Sequence, residues 1–221
     1  MTNILLESYS LDAPWLRHSL APYLRRGTRA AVIAFSFRDK QVQNESDWNR
    51  LYSPNGLYYS SMVRPFGAYG IPEENVAFVN YFADTPAEAL EKIERADILY
   101  FPGGLPDRMT ERIHEFGLES AIQRHEGVIL GYSAGAMIQF GEYHISPDDD
   151  YPEFCYKQGL GLINGFYLEV HYEGADAQND SIDRVLAERG KPVFATFPDK
   201  SALIVENGCV RAIGETKIVL P

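Results

Sequence analysis

Short, uninterrupted apolar runs recur along the chain and constrain its fold more than any other feature. They occur at 30–35, 76–79, 98–101 and 128–130. An apolar run of this length is typical of a strand that is buried on both faces of a sheet. The intervening segments have the apolar spacing of helices, notably at 87–95, 106–124 and, later in the chain, 178–189. Strands that alternate with helices predict a mostly parallel sheet covered by helices on both faces.

The C-terminal part of the sequence predicts a different strand arrangement. Short strand-like segments follow one another closely there, at 193–197, 202–206, 210–213 and 217–220. Asn207-Gly208 is a strong signal for a tight hairpin turn. We therefore expect an α/β fold in one domain spanning 1–221, a three-layer α/β/α sandwich whose sheet ends in an antiparallel edge.

Composition and charge exclude several classes of protein. The 221 residues are 45% hydrophobic and 23% charged, which is ordinary for a folded globular chain. The net charge of −11 and the lack of a basic patch argue against nucleic acid and anionic membranes as partners. No apolar stretch approaches the ~20 residues of a membrane helix, and the N-terminus reaches an acid at Glu7 without a basic region, unlike a signal peptide. With two widely spaced cysteines, a cytoplasmic location is expected.

The motif Gly131-Tyr132-Ser133-Ala134-Gly135 directly follows the apolar run 128–130. G-x-S-x-G between a strand and a helix is the pattern of a nucleophile elbow, a sharp turn that raises the serine hydroxyl above the strand ends. The N–H of Ala134, at the start of a helix, could then stabilise an oxyanion. The alternative is a tight glycine turn in which Ser133 only caps a helix.

A serine nucleophile needs a base, and His171 is the best candidate among the five histidines. It follows the apolar segment 166–170 at the predicted end of a strand, where active crevices of open α/β sheets lie. The other four histidines are expected at the surface or too far away: His18, His114, His125 and His144. For the carboxylate that orients the imidazole, Asp199 follows a predicted strand, with Glu173 and Asp176 as competitors near His171.

Two glycines follow another predicted strand. Gly103 and Gly104 come directly after Pro102, at the end of the run 98–101. Residues without side chains leave backbone N–H groups unobstructed, so these two could complete an oxyanion hole with Ala134. A plain strand-to-helix turn is the simpler alternative for the pair.

Together these residues resemble the dipeptidase E / cyanophycinase family of serine peptidases. The resemblance is carried by Tyr-Phe-Pro-Gly-Gly at 100–104, by Gly-Tyr-Ser-Ala-Gly-Ala at 131–136 and by a histidine after a strand, and it extends from about 30 to 213. It implies a class I glutamine-amidotransferase-like fold, Ser133 as nucleophile and His171 as base. It also implies that the acid lies after a late strand, where this chain has Asp199 instead of a glutamate.

The sequence departs from the family where the substrate is held. Leu105-Pro106 stands in place of Asn-Thr after the two glycines, and the stretch 178–181 lacks the arginine that would bind an acidic side chain. Leu105 and Arg184 are the residues that we nevertheless expect near the substrate. The resemblance implies a hydrolase of small peptides or amides that needs no metal or organic cofactor. The sequence does not determine the oligomeric state, and a homodimer is among the assemblies it allows.

Two other functions remain open. An esterase of the α/β-hydrolase type would require one of the aspartates at 148–150 to pair with His171. A non-enzymatic, amidotransferase-like binding module would keep the pocket without the chemistry. The segment 143–161, with its prolines and aspartates, is expected to be a long irregular loop that covers the site.

Overall fold

A computed structural model describes all residues, 1–221, and its centre is an eight-stranded sheet. The strands of the chain are β1 Thr2–Leu6, β2 Ala30–Ile33, β3 Val76–Val79, β4 Ile98–Phe101, β5 Val128–Tyr132, β6 Glu142–Ile145, β7 Cys155–Gln158, β8 Tyr167–Glu169, β9 Val193–Glu206 and β10 Cys209–Val219. In the central sheet, seven strands follow one another in the order β10-β9-β1-β5-β4-β2-β3, and β8 also pairs with β9. The remaining two strands, β6 and β7, form a separate antiparallel hairpin.

Helices cover both faces of the sheet. They are α1 Pro14–Leu20, α2 Glu45–Tyr52, α3 Tyr59–Val63, α4 Pro86–Glu94, α5 Pro106–Glu115, α6 Glu119–Gln123, α7 Ala134–Met137 and α8 Asp176–Arg189, with 3₁₀ turns at Arg64–Tyr69 and Glu73–Asn75. Helices α1 to α3 pack on one face, and α4 to α7 pack on the other. The predicted three-layer, mostly parallel α/β fold is confirmed.

The two faces of the sheet are buried in two separate cores. Along β1, Ile4 and Leu6 pack with α1, whereas Leu5 packs on the opposite side with the cluster around α5. This alternation follows from the two-residue period of a strand. It explains why the apolar runs are continuous, since nearly every residue in them enters one core or the other; Ala77, on the edge strand β3, is the exposed exception.

Several local predictions are corrected by the structure. The helix expected over 106–124 is divided into α5 and α6, because Gly117 turns the chain with a φ of 66°. The four C-terminal strand segments join into two long antiparallel strands, β9 and β10. The segment 143–161 is not an irregular loop throughout, because β6 and β7 pair within it and leave only 146–154 as their connection.

Strand β1 was not predicted, yet it lies in the middle of the sheet. It pairs parallel with β5 and antiparallel with β9. The residue that follows it, Glu7, therefore emerges beside the carboxyl end of β5, where Ser133 lies. None of the helices is both long and apolar enough to span a bilayer.

Candidate active site

Ser133 occupies a sharp turn between β5 and α7. Its backbone has a φ of 52° and a ψ of −113°, an unfavourable conformation for a residue with a side chain. The turn requires a glycine on each side of the serine, because other backbone segments lie too close to these two positions for a side chain to fit. A Cβ on Gly131 would collide with the carbonyl of Gly135, and a Cβ on Gly135 would collide with that of Phe101. These contacts explain the predicted nucleophile elbow in steric terms.

His171 lies within hydrogen-bonding distance of this serine. Its Nε2 is 2.7 Å from Ser133 Oγ, so the hydroxyl can donate to the imidazole. His171 follows β8, and its carbonyl accepts a 2.9 Å hydrogen bond from the side-chain amide of Gln178 on α8. The structure thus brings together the two residues that the sequence predicted as nucleophile and base.

The carboxylate beside His171 belongs to Glu7. Glu7 Oε2 is 2.8 Å from His171 Nδ1 and also accepts the backbone N–H of His171 at 3.2 Å. Its other oxygen accepts a 2.7 Å hydrogen bond from the hydroxyl of Thr196. The side chain of Glu7 is 2% exposed, so this carboxylate is buried and fully hydrogen-bonded. Such a carboxylate can fix the imidazole tautomer that accepts a proton at Nε2.

Asp199, which we expected in this position, does not contact the imidazole. It is exposed, lies within β9 with a φ of 55°, and forms no side-chain hydrogen bond or ion pair. Its backbone N–H donates to the carbonyl of Glu7 at 3.0 Å. The prediction is corrected because Glu7 fills the space next to Nδ1. The competitors Glu173 and Asp176 form no ion pair with His171 either.

Charges around His171 shift its pKa. Burial of the ring lowers the pKa, but the hydrogen bond to Glu7 and the negative charges of Glu7, Asp199 and Glu169 raise it, and the net direction is upward. Asp199 therefore acts on the imidazole through its charge, although it does not touch the ring. A raised pKa favours the imidazolium that forms when the histidine accepts a proton from serine.

The three predicted oxyanion donors differ in their availability. The N–H of Gly103 is already used, since it donates to the hydroxyl of Tyr9 at 3.0 Å. The N–H of Gly104 has no acceptor in the protein, and that of Ala134 is the first of helix α7, where no intrahelical acceptor exists. Gly104 and Ala134 are therefore the pair that can donate to an oxyanion next to Ser133.

Two cavities meet at Ser133. The first, which we call the Glu169 cavity, has a volume of about 380 Å³ and is lined by Ser133, His171, His144, Ser146 and Glu169 among others. The second, the Tyr52 cavity, has a volume of about 360 Å³ and includes Tyr9, Arg38, Tyr52 and Tyr58 in its lining. Because Gly104, Ser133 and His171 line both, a substrate could extend to either side of the hydroxyl.

The other predicted residues lie next to this site or outside it. Leu105 directly precedes α5 and donates its N–H to the carbonyl of Ser36, but it lines neither cavity. Arg184 pairs with Glu188 at 2.8 Å and stacks on Phe154, so it does not reach the site. The loop 146–154 does border the Glu169 cavity, as anticipated for part of the segment 143–161.

None of the aspartates at 148–150 pairs with His171, as the esterase alternative would require. Asp148 instead accepts backbone N–H groups within its own loop. Asp150 forms an ion pair with Arg38. His144, which we expected to lie too far from Ser133 to act as its base, lines the Glu169 cavity together with Ser133, and its ring is buried against Glu169.

Comparison with known proteins shows the family and the fold of this chain. The sequence model of peptidase family S51 matches residues 56–213, well over half of the chain. Among solved structures, a peptidase E-like protein of Listeria monocytogenes EGD-e superposes with a TM-score of 0.69 at 16% identity, over 97% of this chain and 98% of that one. A peptidase from an acI-B1 Actinobacterium gives 0.66 at 16% identity, over 99% and 89%. No curated protein sequence matches significantly.

Proposed function

The chain belongs to peptidase family S51 and is a serine-type peptidase, and from this premise we propose that Ser133, His171 and Glu7 are its catalytic triad. One observation carries the proposal. A continuous chain of contacts runs from Ser133 Oγ through both nitrogens of His171 to a buried carboxylate. This is the arrangement that converts a weakly nucleophilic hydroxyl into a reactive one.

The reaction then proceeds through an acyl-enzyme. His171 Nε2 takes the proton of Ser133 as Oγ bonds to the carbonyl carbon, and the oxyanion accepts hydrogen bonds from the N–H groups of Gly104 and Ala134. The carbon–nitrogen bond breaks as His171 returns the proton to the leaving amine. Water, deprotonated by the same histidine, releases the acid and restores the serine. Glu7 holds the ring throughout and stabilises its charged form.

The substrate class that we propose is small peptides or amides. Support comes from the cavities of about 380 and 360 Å³ on either side of Ser133, each of a size for one or two residues. The Glu169 cavity has no lysine or arginine in its lining, which argues against recognition of an acidic side chain there.

Fluorophosphonate labelling tests the activated serine directly. We expect a single adduct, located at Ser133 by intact mass and peptide mapping, and none in Ser133→Ala or His171→Ala. Circular dichroism of both variants checks that the fold persists. A folded wild-type protein that takes up no label, or an adduct that persists in His171→Ala, would contradict the proposed mechanism.

A further inference from the structure

A second buried carboxylate lies beside the triad and is not used by it. Glu169 ends β8 and is 3% exposed. Its Oε2 accepts hydrogen bonds from Ser146 Oγ at 2.7 Å and from His144 Nε2 at 2.6 Å, whereas its Oε1 has no hydrogen-bond partner in the protein. Glu7, by contrast, has partners on both oxygens. Glu169 therefore keeps an unused acceptor that needs a donor.

The neighbouring histidine does not supply a compensating positive charge. The ring of His144 is fully buried, and its Nδ1 has no hydrogen-bond partner. An imidazolium would carry an unpaired N–H at this atom, which is costly in the interior. The neutral tautomer with its hydrogen on Nε2 satisfies the contact with Glu169. No lysine or arginine pairs with Glu169 in the protein, which is uncommon for a buried carboxylate.

Glu169 borders the cavity in which the substrate would lie. It lines the Glu169 cavity together with Ser133, and it precedes His171 by two residues, about 7 Å along a strand. The other acidic residues of the lining are Asp148, Asp150 and Glu173, of which Asp150 is paired with Arg38. The lining contains two histidines but no lysine or arginine, so a positive group that enters the cavity meets several carboxylates and no permanently positive side chain.

We propose that Glu169 binds a positively charged group of the substrate, an ammonium or guanidinium, and so makes this enzyme selective for cationic peptides or amides. The inference rests on the proposed function, because it concerns the same cavity. A cation at Oε1 gives the carboxylate both its missing donor and its missing counter-charge. An acidic substrate side chain would instead be repelled. The positive group can be the α-ammonium of the substrate or a basic side chain.

Four coumarin amides distinguish whether the positive group is the α-ammonium of the substrate or a basic side chain. They are the 7-amino-4-methylcoumarin amides of lysine and of norleucine, each with a free and with an acetylated α-amino group. Norleucine has the length of lysine without its charge. We expect kcat/KM to be at least ~10-fold higher for the charged member of one of the two comparisons, the side-chain pair or the α-amino pair.

The variant Glu169→Gln tests which residue is responsible. It should abolish the preference for the charged member. The readout is the ratio of kcat/KM between the charged and the uncharged member, because any effect of Glu169 on His171 is common to both substrates and cancels in that ratio. Glu153→Gln is the matched control, since it removes one exposed negative charge from the same loop as Ser146 without lining the cavity. It should keep the preference. If Glu169→Gln does not fold, the comparison of the four substrates on the wild type still decides whether charge is recognised.

The outcomes distinguish the selectivity from the peptidase function. Cleavage that is equally fast for charged and uncharged members, or a preference that survives in Glu169→Gln, overturns the role of Glu169 and leaves the peptidase intact. Binding of the four compounds to Ser133→Ala, followed by coumarin fluorescence anisotropy, gives a readout without chemistry. Tighter binding of charged members there, with no turnover by the wild type, would support the subsite while the proposed function fails.

Discussion

His171 Nδ1 and Glu7 Oε2 lie 2.8 Å apart, although the two residues are separated by 164 positions in the chain. The sheet brings them together. Strand β1 pairs with β5 so that Leu6 lies opposite Tyr132, and the N–H of Ser133 donates to the carbonyl of Leu6 at 3.2 Å. The residue after β1 and the residue after β5 therefore emerge side by side. Strand β9 pairs with both β1 and β8, which places His171 at the same end.

Glu7→Gln should lower kcat by about 10²- to 10⁴-fold, with a smaller effect on KM. The amide retains the size of the side chain but loses the charge that stabilises the imidazolium, and it has one acceptor oxygen where the carboxylate uses two, one towards His171 and one towards Thr196. Steady-state kinetics on a coumarin amide measures the loss, and urea unfolding checks that the variant is folded.

Asp199→Asn is the matched control for Glu7→Gln. It also removes a carboxylate at this end of the sheet, but the carboxylate of Asp199 is exposed and does not contact the imidazole of His171. We expect kcat to fall by less than about 5-fold, because an exposed charge acts only weakly at a distance. A large loss in Asp199→Asn together with a small loss in Glu7→Gln would reverse the assignment of the triad acid.

The acid limb of the pH profile should lie above pH 6.5. His171 accepts the serine proton only when it is unprotonated, so kcat/KM rises with pH through its pKa. That pKa is raised from the ordinary 6.5, against the lowering effect of burial, by the hydrogen bond to Glu7 and the nearby negative charges.

Removing the negative charges near His171 should move the acid limb of the kcat/KM profile to lower pH. In Glu7→Gln the limb shifts to lower pH, and in Asp199→Asn it shifts the same way by a smaller amount, since both charges raise the pKa of His171. Profiles of kcat/KM between pH 5 and 9 give the midpoints. An unchanged midpoint in Glu7→Gln would mean that Glu7 does not set the protonation of the base.

Gly104→Ala should impair both folding and catalysis. Gly104 has a φ of 138°, and a Cβ there would lie 2.8 Å from the hydroxyl oxygen of Ser36. We expect a loss of about 1–3 kcal/mol in the free energy of unfolding. A displaced N–H at this position should also lower kcat by ~10²-fold or more.

Gly117→Ala provides the comparison for this effect. Gly117 also has a positive φ, of 66°, but a Cβ there would contact nothing within 4 Å. It should cost about 1 kcal/mol of stability and leave kcat unchanged. Urea denaturation and kinetics on both variants separate strain from catalysis. Equal kcat values in the two variants would contradict an oxyanion role for Gly104.

Arg184→Ala should leave kcat/KM within about 2-fold of the wild type for all substrates. Arg184 is tied to Glu188 and Phe154 on the outer side of α8 and lines neither cavity. Kinetics with acidic, neutral and basic amides provides the check. A selective loss for acidic substrates would show that Arg184 moves into the site when the substrate binds.

The fold could be predicted to a large extent because the signals are local. Continuous apolar runs marked β2 to β5, and the helical spacing at 87–95 marked α4. Strand β1 gives a weaker signal, because it begins with the polar residues Thr2 and Asn3 and the acid Glu7 follows it. The hairpin of β6 and β7 gives none, because polar and apolar residues are mixed in both strands.

The nucleophile could be predicted because the reactive serine and the glycines that shape its turn lie in one short motif. Ser133 is fixed by glycines whose replacement would cause backbone collisions, so the sequence itself reports the elbow. His171 could be inferred from its position after an apolar strand. Glu169, which lines a cavity beside Ser133, gave no sequence signal beyond its charge, since its burial depends on residues far away in the chain.

The sequence by itself determined the alternating α/β order, the antiparallel C-terminal edge and the serine elbow, because each depends on neighbouring residues and on backbone sterics. Only the tertiary structure decided which carboxylate orients His171, which glycine N–H remains free, and which buried acid keeps an oxygen without a hydrogen-bond partner. These depend on strand order and register, which align residues separated by more than a hundred positions. Glu7 rather than Asp199 reaches the imidazole because β1 lies directly beside β5.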